Sequence, residues 1–424
     1  MNYSRPREKD TAPLQAQERE TAMETKQAFA IEIHDDYCGN CEICSAICPF
    51  EAISVDKESG KVKLDIEKCR MCGLCVSACP LSAIELVYYD IDSLTDHVLT
   101  QMEETGLKTL VLTCRGSNPV TDGIEEILKD MKIENFISLR LPCVGRVPSE
   151  FFLKTIALGI EKIVVIQCEE DYCRFKEGSR IGSNRLLLLR DLIHQLGYDP
   201  NTLTIIKNAM KAVYDTDKCV GCGKCVFICP YDAIEWNPIG TPEINVEACV
   251  GCGACAMVCP HQAIELKGYE YEPVSQLVQL YSTKAREARS RGITPVVLVF
   301  CCQWSEFSAL DDSQPGSFKE NVMIIELPCA KGLDPVHVLE ALYSGFDGVL
   351  AVTCPEEECK LEEGKEVAER NVLALKKVLR QLNLEDRFEN CTASPKYPGD
   401  FDSKLESFIQ KISSMEKPKT QIVQ

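Results

Sequence analysis

Four times the chain spells C-x2-C-x2-C-x3-C-P, and no other feature limits its fold so tightly. The runs are Cys38, Cys41, Cys44, Cys48-Pro49; Cys69, Cys72, Cys75, Cys79-Pro80; Cys219, Cys222, Cys225, Cys229-Pro230; and Cys249, Cys252, Cys255, Cys259-Pro260. A [4Fe-4S] cubane presents four iron corners in a small space. Three closely spaced thiolates on one turning segment reach three corners, and the fourth thiolate of the run serves the neighbouring cluster. The proline, with its fixed φ and missing N–H, ends the turn. The expected grouping is therefore crossed. Cluster 1 takes Cys38, Cys41, Cys44 and Cys79; cluster 2 takes Cys69, Cys72, Cys75 and Cys48. Cluster 3 takes Cys219, Cys222, Cys225 and Cys259; cluster 4 takes Cys249, Cys252, Cys255 and Cys229. Gly73, Gly221, Gly223, Gly251 and Gly253 let backbone approach and aim N–H groups at sulfur, which raises the potential. Structural zinc favours two C-x2-C pairs across a longer gap, a pattern that sixteen cysteines in four like runs do not follow.

The runs come in pairs, and the second pair reads as a copy of the first. Cys38–Cys79 recurs as Cys219–Cys259 at an offset of 180 or 181 residues. The following segments recur at an offset of 186: LRLPC ending at Cys143 matches IELPC ending at Cys329, and IEKIVVIQC ending at Cys168 matches FDGVLAVTC ending at Cys354. EEDYC ending at Cys173 matches PEEEC ending at Cys359, and Cys114 lies 187 residues before Cys301. The expected order is a tail over 1–30 (disordered or a docking arm), module A over 31–90, module B over 91–212, module A′ over 213–270, module B′ over 271–412, and a tail over 413–424.

Modules A and A′ are short, rich in Cys and Pro, and resemble bacterial two-cluster ferredoxins through all four runs. Modules B and B′ have another texture. Apolar runs at Leu107–Cys114, Asn135–Leu141 and Lys162–Cys168 read as strands, and Pro148–Gly159 and Asn184–Gly197 as helices. Leu186, Leu189, Ile193 and Leu196 form a helical stripe that Val372, Leu375, Leu379 and Leu382 repeat in B′. Near-continuous apolar strands alternating with helices predict a parallel sheet flanked by helices. The fold class expected is two small α+β modules alternating with two α/β domains, an internal duplication.

The composition narrows the function classes. A net charge of −19 argues against nucleic-acid binding, which needs basic patches. It suits either docking to basic partner surfaces or simple solubility. No apolar run approaches the roughly 20 residues of a membrane span, and the polar N-terminal segment has no apolar core of a secretory signal. A cytoplasmic protein with thiols kept for metal is expected.

Outside the four runs, Cys114, Cys143 and Cys168 each close an apolar run, with Cys173 in the next loop; Cys301, Cys329, Cys354 and Cys359 do the same. Strand C-termini of a parallel sheet lie along one edge, so each set of four is a candidate [2Fe-2S] site. Buried core thiols are the other reading, since free Cys is among the most buried residues. Cys302 and Cys391 have no counterpart in B and are read as spares, although Cys302 can stand in for Cys301.

Module B′ resembles the delta subunit of methyl-viologen-reducing hydrogenase through FCCQW at Phe300–Trp304, LPCAKGLDP at Leu327–Pro335, EALYSGFDGVLAVTC at Glu340–Cys354, and Cys359 followed by Gly364. Module B resembles it through PCVGRVP, Cys168, Cys173 and Gly178. The family pattern CC-x-W-C ends here in Ser305, and its C-H-Y reads Cys359-Lys360-Leu361 and Cys173-Arg174-Phe175. The resemblance implies a subunit that passes electrons to heterodisulfide reductase. Its partners would be a flavin-bearing component like that of heterodisulfide reductase and a donor such as hydrogenase or formate dehydrogenase.

No G-x-G-x-x-G, P-loop, GxSxG or HExxH is present, so no nicotinamide, flavin or hydrolytic site is evident. His34, His97, His194, His261 and His337 are scattered singly; His261 follows Cys259-Pro260 and is a candidate to tune cluster 3. The expectation is an iron–sulfur relay of an anaerobic complex, with electrons passing along A and A′ and with B and B′ at the ends. Two further classes are a reductase acting at a B-type centre and a scaffold with inert B cysteines.

Overall fold

The computed structural model describes residues 29–117, 123–305, 307, 319–361 and 364–415. Most of the tail expected over 1–30, and the tail beyond 415, lie outside them.

Module A pairs β1 (Ile31–Ile33) antiparallel with β4 (Ile84–Leu86), and β2 (Ile53–Val55) with β3 (Val62–Leu64). Between the strands sit two five-residue helices, α1 (Ile43–Ile47) and α2 (Leu74–Ala78). Each starts from a left-handed residue, Glu42 at φ 60° and Gly73 at φ 79°. At Gly73 a side chain is also excluded by space, because a Cβ would stand 2.6 Å from Arg146 Cβ.

Module B follows as α3 (Ile91–Thr105), β5 (Thr109–Cys114), α4 (Gly123–Lys129), β6 (Ile137–Leu141), α5 (Ser149–Ala157), β7 (Lys162–Cys168), α6 (Gly178–Gln195) and β8 (Leu203–Asn208). The four strands form one parallel sheet in the order β6-β5-β7-β8. Alternate residues face opposite sides. Leu110, Leu112, Ile163 and Val165 meet Phe151, Phe152, Leu186, Leu189 and Ile193 on one face. Val111, Val164 and Ile166 meet Leu128 and Ile133 on the other. Each large apolar side chain buried this way contributes about 1.5–3 kcal/mol.

α6 starts six residues before the expected Asn184. Its first turns carry Gly178, Ser179, Gly182 and Ser183 in place of an apolar stripe, and these small residues let the helix lie close against backbone: a Cβ at Gly182 would stand 3.1 Å from Gly145 Cα. Ser183 Oγ donates to Gln167 Oε1 at 2.8 Å.

Module A′ comprises β9 (Ala212–Tyr214), α7 (Lys224–Ile228), β10 (Ile234–Trp236), β11 (Pro242–Ile244), α8 (Ala254–Met257) and β12 (Ile264–Leu266), with β12 paired to β9 and β10 to β11. Module B′ comprises α9 (Tyr271–Ser290), β13 (Val297–Cys302), β14 (Val322–Leu327), α10 (Pro335–Ser344), β15 (Gly348–Thr353), α11 (Gly364–Gln381), β16 (Phe388–Thr392) and α12 (Asp400–Ser413). Its sheet is again parallel, in the order β14-β13-β15-β16. One face packs on α9, α10 and α11 through Val278, Val338 and Leu379; the other packs on α12 through Phe401, Leu405 and Phe408.

Candidate metal centres

In module A, Cys38, Cys41 and Cys44 of the first run and Cys79 of the second line one pocket of about 390 Å3, partly open to solvent, among apolar side chains such as Ile33, Leu81 and Ile84. In module A′, a pocket of about 320 Å3 is lined by Cys219, Cys222, Cys225 and Cys259, and another of about 360 Å3 by Cys249, Cys252, Cys255 and Cys229. Cys48, Cys69 and Cys72 stand close enough for their charges to act on Cys75. His261 lines the same pocket as Cys219 and Cys259.

Backbone N–H groups are turned toward these sulfurs. Ala52 donates to Cys48 Sγ at 3.4 Å, Ala83 to Cys79 Sγ at 3.2 Å, Gly221 to Cys219 Sγ at 3.3 Å and Ala263 to Cys259 Sγ at 3.2 Å. Soft donors in apolar pockets, with N–H groups supplied for negative charge, fit an iron–sulfur cluster. Without such a group the thiols resist ionisation: burial pushes Cys72 up to about 12 and raises Cys75 and Cys255 too. Among the described residues, no three His, Cys, Asp or Glu side chains are set to hold a single metal ion.

The four groups differ in exposure. Cys41 and Cys222 are exposed, whereas Cys69, Cys72, Cys75, Cys249, Cys252 and Cys255 are buried. The groups numbered 1 and 3 thus lie toward solvent, and 2 and 4 lie inside.

At the sheet edge of B, Cys114 accepts from the thiols of Cys143 and Cys168, which holds its own thiol well below the usual range. Cys168 lies beside Cys173. Val144 N–H donates to Cys114 Sγ at 3.2 Å, and Ser179 N–H to Cys173 Sγ at 3.2 Å. In B′ the same role belongs to Cys302: the thiols of Cys329 and Cys354 donate to it and lower its pKa, and Cys354 lies beside Cys359.

The expected B′ set named Cys301; in the structure it is Cys302 that stands beside Cys329 and Cys354. Cys301 is on the opposite face of β13, packed with Val299, Val352 and Phe401, with its sulfur 3.3 Å from Ser305 Oγ. Cys302 pairs in register with Leu327 as Cys114 pairs with Leu141, so Cys302 is the structural counterpart of Cys114, and Gln303 of Arg115. Cys391 lies in β16, away from both sets.

The two sheet edges meet each other. Arg140 of B forms a buried ion pair with Glu326 of B′, and its guanidinium donates to Gln303 Oε1 at 2.8 Å. Arg115 Nη1 donates to the Gln303 carbonyl at 2.6 Å. Cys72, Cys143, Cys302 and Cys354 belong to one apolar cluster with Phe175 and Trp304. Cys252, Cys329 and Leu361 form another. Loops also reach crosswise. Arg174 of B donates to the Val250 carbonyl in A′, and Lys396 of B′ donates to the Glu67 carbonyl in A at 3.1 Å. Arg115, Arg140, Glu326 and Lys396 carry no motif, and only the family pattern drew attention to Trp304. His34 pairs with Glu85, and His337 packs with Tyr271 and Glu340, as structural residues.

The family model of the methyl-viologen-reducing hydrogenase delta subunit matches residues 112–220 and 297–416, together more than half of the chain. The chain belongs to this family. Models of a 4Fe-4S dicluster domain match residues 37–83 and 212–266, so the delta-subunit regions sit beside 4Fe-4S dicluster domains. Over 271 residues the chain is 28% identical to the A-type component of the ferredoxin:CoB-CoM heterodisulfide reductase of Methanosarcina mazei, covering 63% of this chain and 31% of that protein. It is 31% identical over 93 residues to the D-type iron-sulfur component of the F420-non-reducing hydrogenase of Archaeoglobus profundus, covering 22% of this chain and 68% of the relative. The corresponding iron-sulfur component of the vhu F420-non-reducing hydrogenase of Methanopyrus kandleri is 34% identical over 92 residues, 21% of this chain and 70% of the relative. The chain spans about a third of the length of the heterodisulfide reductase components it matches.

Proposed function

We propose that this delta-subunit family member is an iron–sulfur electron-transfer component of a larger redox complex of the heterodisulfide reductase or hydrogenase kind, and that its halves are an internal duplication. Four [4Fe-4S] clusters would be held by the crossed cysteine groups. A [2Fe-2S] cluster would be held by Cys302, Cys329, Cys354 and Cys359, and a second by Cys114, Cys143, Cys168 and Cys173. When bound, such clusters take up and return single electrons. The observation that carries this reading is the order of the groups: solvent-side cysteines at both extremes, buried groups inside them, and the two sheet-edge sets in contact between. Cys41 and Cys222 face solvent, where a partner's cofactor can approach, and the buried sets keep water from the interior of the path. The burial of Cys302, Cys329 and Cys354 favours a relay over direct reduction of a substrate there. The proposed partners are a hydrogenase- or formate-dehydrogenase-like donor and a flavin-bearing component, in the cytoplasm. Among the described residues no helix is long and apolar enough to cross a membrane.

Iron and acid-labile sulfide per chain on anaerobically prepared protein, with EPR of the reduced form, tests the reading. About 18–20 of each with a [2Fe-2S] signal is expected. About 16 would remove the sheet-edge clusters, and fewer would break the four-cubane reading.

A further inference from the structure

Trp304 lies where the two sheet-edge sites meet. It follows Cys302 by two residues, and its backbone N–H donates to the Cys302 sulfur. Its side chain crosses from B′ into B. There it meets the ring of Phe175, two residues past Cys173, edge-on with centroids 5.6 Å apart. It also meets Gly116, where an added Cβ would stand 2.9 Å from Cys168 Sγ and 3.9 Å from Trp304 Cη2. Gly116 is thus bordered by the Cys168 sulfur, by Arg174 Cγ at 3.6 Å from the same Cβ and by the benzo edge of the indole.

The register that pairs Cys302 with Cys114 makes Gly116 the counterpart of Trp304. One half supplies the large ring, and the other a bare glycine where a side chain would crowd the Cys168 sulfur. This single side chain thus touches the surroundings of both sites.

Trp304 is 3% exposed, and its Nε1 has no hydrogen-bond partner among the described atoms. The indole N–H can only donate, and burying it without an acceptor is costly. Trp304 packs in one cluster with Cys72, Cys143, Cys302 and Cys354, whose sulfurs can accept, and in the loaded protein inorganic sulfide would join them.

We propose that the Trp304 indole N–H donates to sulfur of an iron–sulfur centre at the junction of the two sheet-edge sites, and so raises the potential of that centre. The proposal rests on the reading that at least one of these sites holds a cluster. Hydrogen bonds to cluster sulfur are one of the levers that set the potential; Trp304 would pull that lever from the opposite half of the chain or from its own.

The test uses the full chain prepared anaerobically. W304F keeps an aromatic ring and removes the N–H. EPR-monitored redox titration should show the midpoint of one [2Fe-2S] signal moved to lower potential, with iron content and the four cubane midpoints unchanged. Midpoints that all stay in place with iron complete would overturn the proposal. The chain has two tryptophans, so W236F leaves Trp304 as the only indole. Its emission should be quenched in the loaded protein and recover when iron is stripped. Unquenched emission from loaded protein would also overturn the proposal, whatever becomes of W304F. Wild-type protein with about 16 irons and no [2Fe-2S] signal would instead overturn the underlying reading, and the proposal with it.

Discussion

Removing Arg140 should separate the two halves of the molecule energetically. The Arg140 and Glu326 side chains are 12% and 7% exposed. R140A leaves the Glu326 carboxylate buried without its ion-pair partner and deletes the bonds from Arg140 to Gln303 Oε1 and to the Arg115 carbonyl. Breaking one side of a buried pair costs about 3–5 kcal/mol. At about 2–4 °C per kcal/mol for domains of this size, the transition that reports docking of the halves should fall by roughly 6–20 °C. Replacing both partners with apolar residues of similar volume, R140M with E326L, should recover most of that loss, because no buried charge is then left alone. Differential scanning calorimetry on anaerobic protein reads both, with iron counted to keep cluster loss apart from undocking. A fall of less than about 1 kcal/mol in R140A would place this pair among those that contribute little. A double variant as unstable as R140A would refute the desolvation argument.

The remaining predictions address iron. C302A should lose about two irons per chain and one [2Fe-2S] signal while C301A keeps both; the reverse pattern in iron analysis would reject the placement of these two residues. G251A should lose about four irons, those of the Cys249 group. Its φ of +64° disfavours a side chain, and the added Cβ would stand 2.3 Å from the Met210 carbonyl oxygen. Full iron content in G251A would show that the loop can move. A chelator added in air should strip iron first from the groups containing Cys41 and Cys222, the exposed ones. EPR of partly stripped samples reads the order, and simultaneous loss from all groups would count against the exposed-end arrangement.

Much of the architecture was legible in the chain because the forces behind it are local. Ile163–Ile166 is an unbroken apolar run, and Lys162–Cys168 around it becomes a central strand, buried on both faces, as parallel-sheet strands are. Ser149–Ala157 shows its apolar face through Phe151, Phe152 and Ile156. Two edge strands, β8 and β16, were not legible: LTIIKN and FENCT are short and half polar, and only pairing with β7 and β15 makes them strands. The docking of the halves was hidden for another reason. Arg140 reads as one outward-facing charge on a strand, and nothing near it in sequence indicates that Glu326 will neutralise it. Tyr172 and Arg174 likewise look like loop residues, yet they bond to carbonyls of Glu247 and Val250 in module A′.

The Cys301 and Cys302 pair shows how far one residue changes a side chain's surroundings in a strand. Aligning TLVLTC with VLVFC by its final cysteine puts Cys114 opposite Cys301, which is off by one residue. Successive strand residues point to opposite faces, so a slip of one moves the side chain from the cysteine cluster to the packing face. Ladder hydrogen bonds decide the register: Arg115 N–H donates to the Leu141 carbonyl, and Gln303 N–H to the Leu327 carbonyl. That places the cysteine before Gln303, not the one before Cys302, against Cys329 and Cys354. The pattern of burial is uninformative here, since both cysteines are inside. What distinguishes them is their company, polarisable thiols and aimed N–H groups around Cys302, aliphatic and aromatic side chains with a serine hydroxyl around Cys301. The register therefore decides which of the two cysteines stands with Cys329 and Cys354.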